Sequence, residues 1–199
     1  DTPVFKKVLG PAFDDLGDII QRHYVLRPFS NDRVSVSGVM HEVYSSPLVR
    51  LFMPMTRLVG ALVPYLGTDV PIAVYYSACR EDDTIHWDRV FKFAGRSPHH
   101  FKSFMQPIGE NRVIEFVRFG VGLRLKVTAE DGALVFRDEG YIWRVFGWNV
   151  PIPAGLLLGR AYVEERPLDA DRFTMKMHLR HAMFGELFRY SGTFSIDED

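Results

Sequence analysis

The chain is poor in the features that announce most functions. Its single cysteine, Cys79, excludes an intrachain disulfide, and its place in an apolar-alternating run reads as a small buried hydrophobe in a reducing compartment. Neither sign of charge is in excess: 24 Lys and Arg stand against 25 Asp and Glu, a formal net charge of −1. Binding a phosphate backbone needs a clustered cationic surface, so nucleic acid is not an expected partner. There is no long uninterrupted apolar run either. The greasiest stretch, Pro47 to Leu66, carries Arg50 and Arg57 and is broken by Pro54 and Pro64, so it is not expected to span a membrane. The opening residues lack the apolar core and small-residue cleavage site of a secretory signal, and a cytoplasmic location is expected.

Catalytic signatures are missing as well. Gly-x-Gly-x-x-Gly, the P-loop, Gly-x-Ser-x-Gly and His-Glu-x-x-His are all absent, which removes sequence support for nucleotide binding and for serine or zinc hydrolysis. No cofactor and no metal are expected. His178 and His181 would meet only on a helix, and the adjacent His99 and His100 point apart in extended chain.

What the chain does have is 47% hydrophobic residues in 199, enough for one core, and no linker, so one domain over residues 1–199 is expected. Pro11 to Tyr24 places Phe13, Leu16, Ile19, Ile20 and His23 at helical spacing, with Asp14, Asp15 and Asp18 on the other flank. A short strand, Val34 to Met40, follows. Ser45-Ser46-Pro47 then opens a second helix to about Tyr65, with Leu48, Leu51, Phe52, Met55, Leu58, Val59 and Leu62 on its apolar face and a kink at Pro54. After Gly67 the chain reads as about eight or nine strands separated by turn residues. Val121, Leu123, Leu125 and Val127 alternate with Gly122, Arg124, Lys126 and Thr128, and Asp131-Gly132 is a hairpin signal. The expected fold class is α+β: a helical part to about residue 67, then a long antiparallel meander curled into a barrel-like or strongly bent sheet. Curled sheets make cavities.

Several short motifs lie between Ile85 and Gly192: Trp87-x-Arg89-x-Phe91, Phe101-x-Ser103, Glu115, Phe119-Gly120, Gly147-x-x-x-Pro151-x-Pro153, Glu164, Gly185-Glu186-Leu187 and Tyr190-Ser191-Gly192. With these the chain resembles a bacterial family of unknown function catalogued as domain of unknown function 4166. The resemblance implies a domain that occurs alone or attached to dehydrogenase-like domains, with no established activity. Because this chain has no dinucleotide fingerprint, any partner dehydrogenase would be a separate protein.

Candidate site residues follow from strand alternation. On Ile85 to Phe93, Trp87, Arg89, Phe91 and Phe93 share one face, which puts a guanidinium among aromatics. A buried guanidinium needs a partner. Glu115, on a face with Val113, Val117 and Phe119, is the acid expected to pair with it, either to hold strand register or to orient a ligand. His181 shares a face with Met177, Leu179 and Met183, as a core histidine or a cavity base. One of Glu164 and Glu165 faces inward, with a salt bridge to Arg160 or Arg144 as the plain alternative.

These residues predict a module that binds an apolar, lipid-like or polyketide-like small molecule. Its pocket would be lined by Trp87, Arg89, Phe91, Glu115, Tyr141, Trp143, Met177 and His181. Two alternatives stay open. One is an enzyme of isomerase or cyclase type, or an accessory to a dehydrogenase, with Glu115 and His181 as its candidate catalytic groups. The other is an interaction domain touching a protein or membrane surface through Leu156, Leu157 and Leu158 after the Pro-x-Pro bend.

Overall fold

The computed structural model describes residues 2–51, 60 and 62–197. The chain begins with α1 (Val4–Leu9), a 3-10 segment (Gly10–Asp15) and α2 (Asp18–His23). The helix expected over Pro11 to Tyr24 is thus split in two. Leu16 and Gly17 are extended, with ψ of 148° and 149°. The Gly17 N–H donates to the Gly132 carbonyl at 3.0 Å, so the break is a tertiary contact with a distant turn. A Cβ at Gly17 would collide with the Pro167 ring, which only glycine avoids.

Eleven strands follow among the described residues: β1 (Arg33–Ser45), β2 (Gly67–Ala78), β3 (Ile85–Phe91), β4 (His99–Gly109), β5 (Arg112–Phe116), β6 (Val121–Glu130), β7 (Ala133–Val145), β8 (Trp148–Ile152), β9 (Arg160–Pro167), β10 (Arg172–His181) and β11 (Gly185–Ile196). β1 to β7 form a meander, β7 also pairs with β9, and β9, β10 and β11 return to β1. Ten strands thereby close into an antiparallel barrel, while β8 hangs on β7 alone. Closure leaves no free edge on the ring and forces alternate side chains inward.

The division of β7 makes room for β8. Leu134–Arg137 pair with β9 and Tyr141–Val145 pair with β8. At the fork Asp138 accepts the N–H groups of Gly140 (2.5 Å) and Ala161 (3.1 Å), satisfying backbone donors that have left the regular ladder.

The second helix departs from expectation. Among the described residues α3 covers 47–51, with the Val49 N–H donating to Ser46 Oγ at 3.3 Å. It does not run on to Tyr65, since residues 62–66 are non-helical and Leu62 and Val63 are buried. The expected kink at Pro54 and the apolar positions Phe52, Met55, Leu58 and Val59 lie outside the described residues. Cys79 is half-exposed rather than buried. Among the described residues no helix is long and apolar enough to cross a membrane.

The two barrel ends differ. One is closed by the N-terminal helices, tied on by Asn111 N–H to Val8 O (3.0 Å), Arg22 Nη2 to Ala170 O (2.6 Å) and the Gly17–Gly132 bond. At the other end lie α3, the 3-10 turn Arg118–Gly120, the β7–β8 hairpin, α4 (Gly155–Leu158) and the β10–β11 turn. The interior cavity extends to this second end, the mouth, where Leu62, Val63, Ala154 and Leu158 line it.

Candidate functional site

Period-two alternation points one row of each strand into the barrel. β10 contributes Phe173, Met175, Met177 and Leu179, and β11 contributes Phe188, Tyr190 and Phe194. Between them lies a cavity of about 130 Å³ that reaches Leu62, Val63, Ala154 and Leu158 at the mouth. Most of its wall is aliphatic or aromatic, and its polar members are Arg89, Glu115, Glu165 and three tyrosines, Tyr76, Tyr141 and Tyr190.

Three neighbouring strands each supply one member of the first polar cluster. Arg89 (β3) donates to Glu115 Oε1 (β5) at 2.8 Å and to Ser103 Oγ (β4) at 2.9 Å, while Ser103 donates to the same Glu115 oxygen at 2.7 Å. The guanidinium also lies over the Trp87 and Phe101 rings, 4.5 and 4.9 Å from their centroids. Burial works against the Arg89 charge, but Glu115 and the surrounding tyrosines outweigh it and raise its pKa. The predicted Arg89–Glu115 pair therefore exists. The guanidinium is occupied on two sides by the protein itself, and Ser103 completes a triangle that alternation did not expose.

The second cluster was only half legible. Glu165, on β9, turns inward and its Oε2 meets His23 Nδ1 of α2 at 3.1 Å, with both side chains buried. Its neighbour Glu164 turns outward to Arg166 (3.0 Å) and Tyr162 (2.7 Å). Neither glutamate pairs with Arg160 or Arg144, which correct the expected bridges: Arg160 approaches Asp138 and Arg144 donates to Asn149 and Gln106. His23 is held by rings on three sides, stacking on Phe173 at 4.9 Å and meeting Tyr24 and Tyr76 at 4.5 and 4.6 Å. Its Nε2 is buried without a hydrogen-bond partner among the described residues. The helical spacing had placed His23 on an apolar face; nothing in the sequence signalled that Glu165, 142 positions away, would meet it.

The tyrosines connect the clusters. Burial pushes the Tyr190 hydroxyl up to about 12, with the Glu115 and Glu165 charges adding to it and Arg89 opposing. Tyr76 is raised well above its usual value by burial and by the Glu165 charge. Tyr24 is raised by burial and then by Glu165, although its hydroxyl makes no hydrogen bond of ordinary geometry. All three stay protonated at any physiological pH. Among the described residues neither Tyr76 nor Tyr190 gives its hydroxyl a hydrogen-bond partner, so two neutral donors are left over at the cavity wall.

Of the residues expected at a pocket, Trp87, Arg89, Glu115, Tyr141 and Met177 line the cavity. Phe91 is fully buried beside Phe93 but lies in the packed wall rather than at the cavity surface. Trp143 is 47% exposed, its Nε1 donating to the Phe119 carbonyl at 2.9 Å on the outside of the barrel. His181 ends β10 at the mouth: Nε2 meets the Leu156 carbonyl at 2.9 Å and the ring stacks on Phe184. Met183, expected on a dry face, is 82% exposed, because β10 ends at His181 and the turn breaks the alternation. The leucine turn divides, with Leu158 facing the cavity and Leu156 80% exposed.

Sequence comparison agrees with the motifs read above. The model of the family described as domain of unknown function (DUF4166) matches residues 16–194. The chain belongs to this family. A curated relative, the uncharacterized protein YndH of Bacillus subtilis (strain 168), is 25% identical over 186 residues, covering 90% of each chain. Among solved structures, the dehydratase domain of the polyketide PpsC from Mycobacterium tuberculosis aligns with 96% of this chain and 84% of its own. The identity there is 7% and the TM-score 0.22, a likeness too slight to speak for ligand or activity.

Proposed function

We propose that the barrel binds a small, mainly apolar molecule carrying one hydrogen-bonding group, held in the interior with its polar end at Tyr76 and Tyr190. The observation that carries this reading is a largely apolar cavity whose wall retains two neutral phenol hydroxyls with no hydrogen-bond partner among the described residues. Small-molecule sites have this composition: apolar walls and a few polar groups that fix orientation. Met175 and Met177 add a compliant wall. Arg89 is already bound by Glu115 and Ser103, so it shapes the site rather than reaching for a head group.

Volume sets the class of ligand. The cavity, about 130 Å³, is close to the roughly 150 Å³ that accepts a benzene ring in an engineered core. A single ring or a short branched chain fits inside; a longer lipid-like or polyketide-like molecule fits only if its remainder leaves through the mouth past Ala154 and Leu158. Native mass spectrometry of protein purified from its host, followed by NMR titration with cyclohexanone and cyclohexane, tests the reading. A copurified ligand, or saturable shifts at cavity residues with the ketone preferred, is expected. An empty protein that answers neither probe sinks it.

Glu165 favours an enzymatic version of the same site. Its carboxylate lines the cavity, is anchored by His23 and lies near enough to Tyr76 for its charge to be felt there. A β,γ-unsaturated ketone held by the phenols would lose a proton from its α carbon to Glu165 and take it back from Glu165 at the γ carbon as the double bond moves into conjugation, a net isomerisation. Deuterium exchange into a cyclic enone in heavy water, abolished by Glu165→Gln, separates this from binding alone.

A further inference from the structure

The largest group of exposed apolar residues among those described gathers at the mouth. Phe119, Phe146 (96% exposed), Trp148 (77%), Leu156, Met183 and Phe184 project from four different segments that the barrel topology brings to that end. They sit at loop tips, not on a flat sheet face. Phe146 and Gly147 occupy the two-residue β7–β8 turn with φ of 49° and 83°, and Phe119 has φ of 58°. Bulky side chains are disfavoured in this left-handed region, and such hairpin turns ordinarily take Asn or Asp before Gly. The packing of the barrel does not call for these rings, which point into solvent; strain held at an exposed tip points to function.

Charge separates along the same axis although the net charge is only −1. The closed end carries Asp14, Asp15 and Asp18 in the N-terminal segment and the acidic turns at 81–83, 130–131 and 169–171, which outnumber its own exposed, unbridged cations Lys7, Arg33 and Arg80. The mouth carries exposed Arg50, Lys92, Arg96, Arg118 and Arg180, none of which has an ion-pair partner among the described residues. Aromatic and aliphatic tips ringed by unpaired cations match the interface of an anionic bilayer, where Trp and Phe sit at head-group depth and Arg and Lys meet lipid phosphates.

We infer that the mouth of the barrel docks on an anionic lipid surface, with Phe146 and Trp148 inserting and the surrounding cations holding the barrel axis steeply to the membrane. The inference does not depend on what the cavity binds; in that pose the cavity wall at Ala154 and Leu158 faces the bilayer, the natural source of an apolar guest.

Flotation of the full chain with vesicles of phosphatidylcholine, and of phosphatidylcholine mixed with phosphatidylglycerol, tests it. Binding to the mixed vesicles is expected, with loss of about tenfold in Phe146→Ser/Trp148→Ser and a comparable loss in Arg118→Glu/Arg180→Glu or at high salt. Phe29→Ser, an exposed phenylalanine at the closed end, serves as the control and leaves flotation unchanged. All the altered side chains are exposed, so unchanged melting curves show that each variant is folded. No flotation of the unaltered chain, equal flotation of all variants, or indifference to anionic lipid overturns the inference. So does concentration-dependent self-association without flotation that the Phe146→Ser/Trp148→Ser change abolishes, since the face then covers a second copy of the chain.

Discussion

His23 and Glu165 hydrogen-bond at 3.1 Å between α2 and β9, both side chains withdrawn from water. The contact staples the N-terminal plug to the barrel wall and at the same time holds a carboxylate at the cavity. Replacing His23 by Leu leaves that carboxylate buried without its partner, and a loss of about 3–5 kcal/mol in urea unfolding is expected. The double variant His23→Leu/Glu165→Leu regains most of it, because no charge is then stranded.

The Arg89–Glu115–Ser103 triangle behaves in the same way but in another part of the wall. Arg89→Met is expected to destabilise by about 3–5 kcal/mol, and Arg89→Met/Glu115→Leu by much less, measured by denaturant midpoints at constant m-value. If Arg89→Met folds and binds ligand as tightly as the unaltered protein, the triangle is purely a register device.

Ligand contacts lie with the tyrosines. Tyr76→Phe and Tyr190→Phe remove hydroxyls that have no partner among the described residues, so each is expected to leave stability within about 0.5 kcal/mol while weakening cyclohexanone binding by about 0.5–1.5 kcal/mol. Met177→Trp fills the cavity and abolishes binding. Unchanged affinity in both phenylalanine variants, read by NMR titration, removes the tyrosines from the site.

Two carboxylates, Asp32 and Glu130, are lowered furthest by their arginine partners and contribute to acid sensitivity. Asp32 accepts two bonds from the Arg27 guanidinium, each 2.8 Å, which lowers its pKa to about 2. Glu130 is lowered to about 2 by Arg137 and then by Thr128. Both folded-state values lie below the unfolded ones, so their contribution is present above about pH 4 and is lost as pH falls toward 2. Carbon-detected NMR titration is expected to show both carboxyls ionised at pH 3. Arg27→Ala returns Asp32 to the ordinary range.

Gly159 joins α4 to β9 with φ of 74°, and a Cβ there would strike the Arg180 carbonyl. Gly159→Ala is expected to cost more than about 1 kcal/mol and to displace α4 from the mouth. Thermal melting reads the first effect. Faster exchange of the backbone amides of residues 155–159 reads the second.

Local chemistry carried much of this protein in its sequence. Alternation on the stretches that became β3, β6 and β10, with Asp131-Gly132 between β6 and β7, is enough to demand antiparallel strands with one wet and one dry face. So many strands must curl, and a buried arginine among aromatics must find an acid, which is why the curled antiparallel sheet and the Arg89–Glu115 pair were both legible. Closure was not, because it depends on β11 returning to β1 and on β7 serving β6 and β9 together, pairings between segments with no local mark of each other. The same holds for His23 with Glu165, for the break at Gly17, and for Trp143 and His181, whose sides were set by a partner change in β7 and a strand end in β10. A side chain's face is written in its neighbours; the element that covers that face is chosen only when the chain closes on itself.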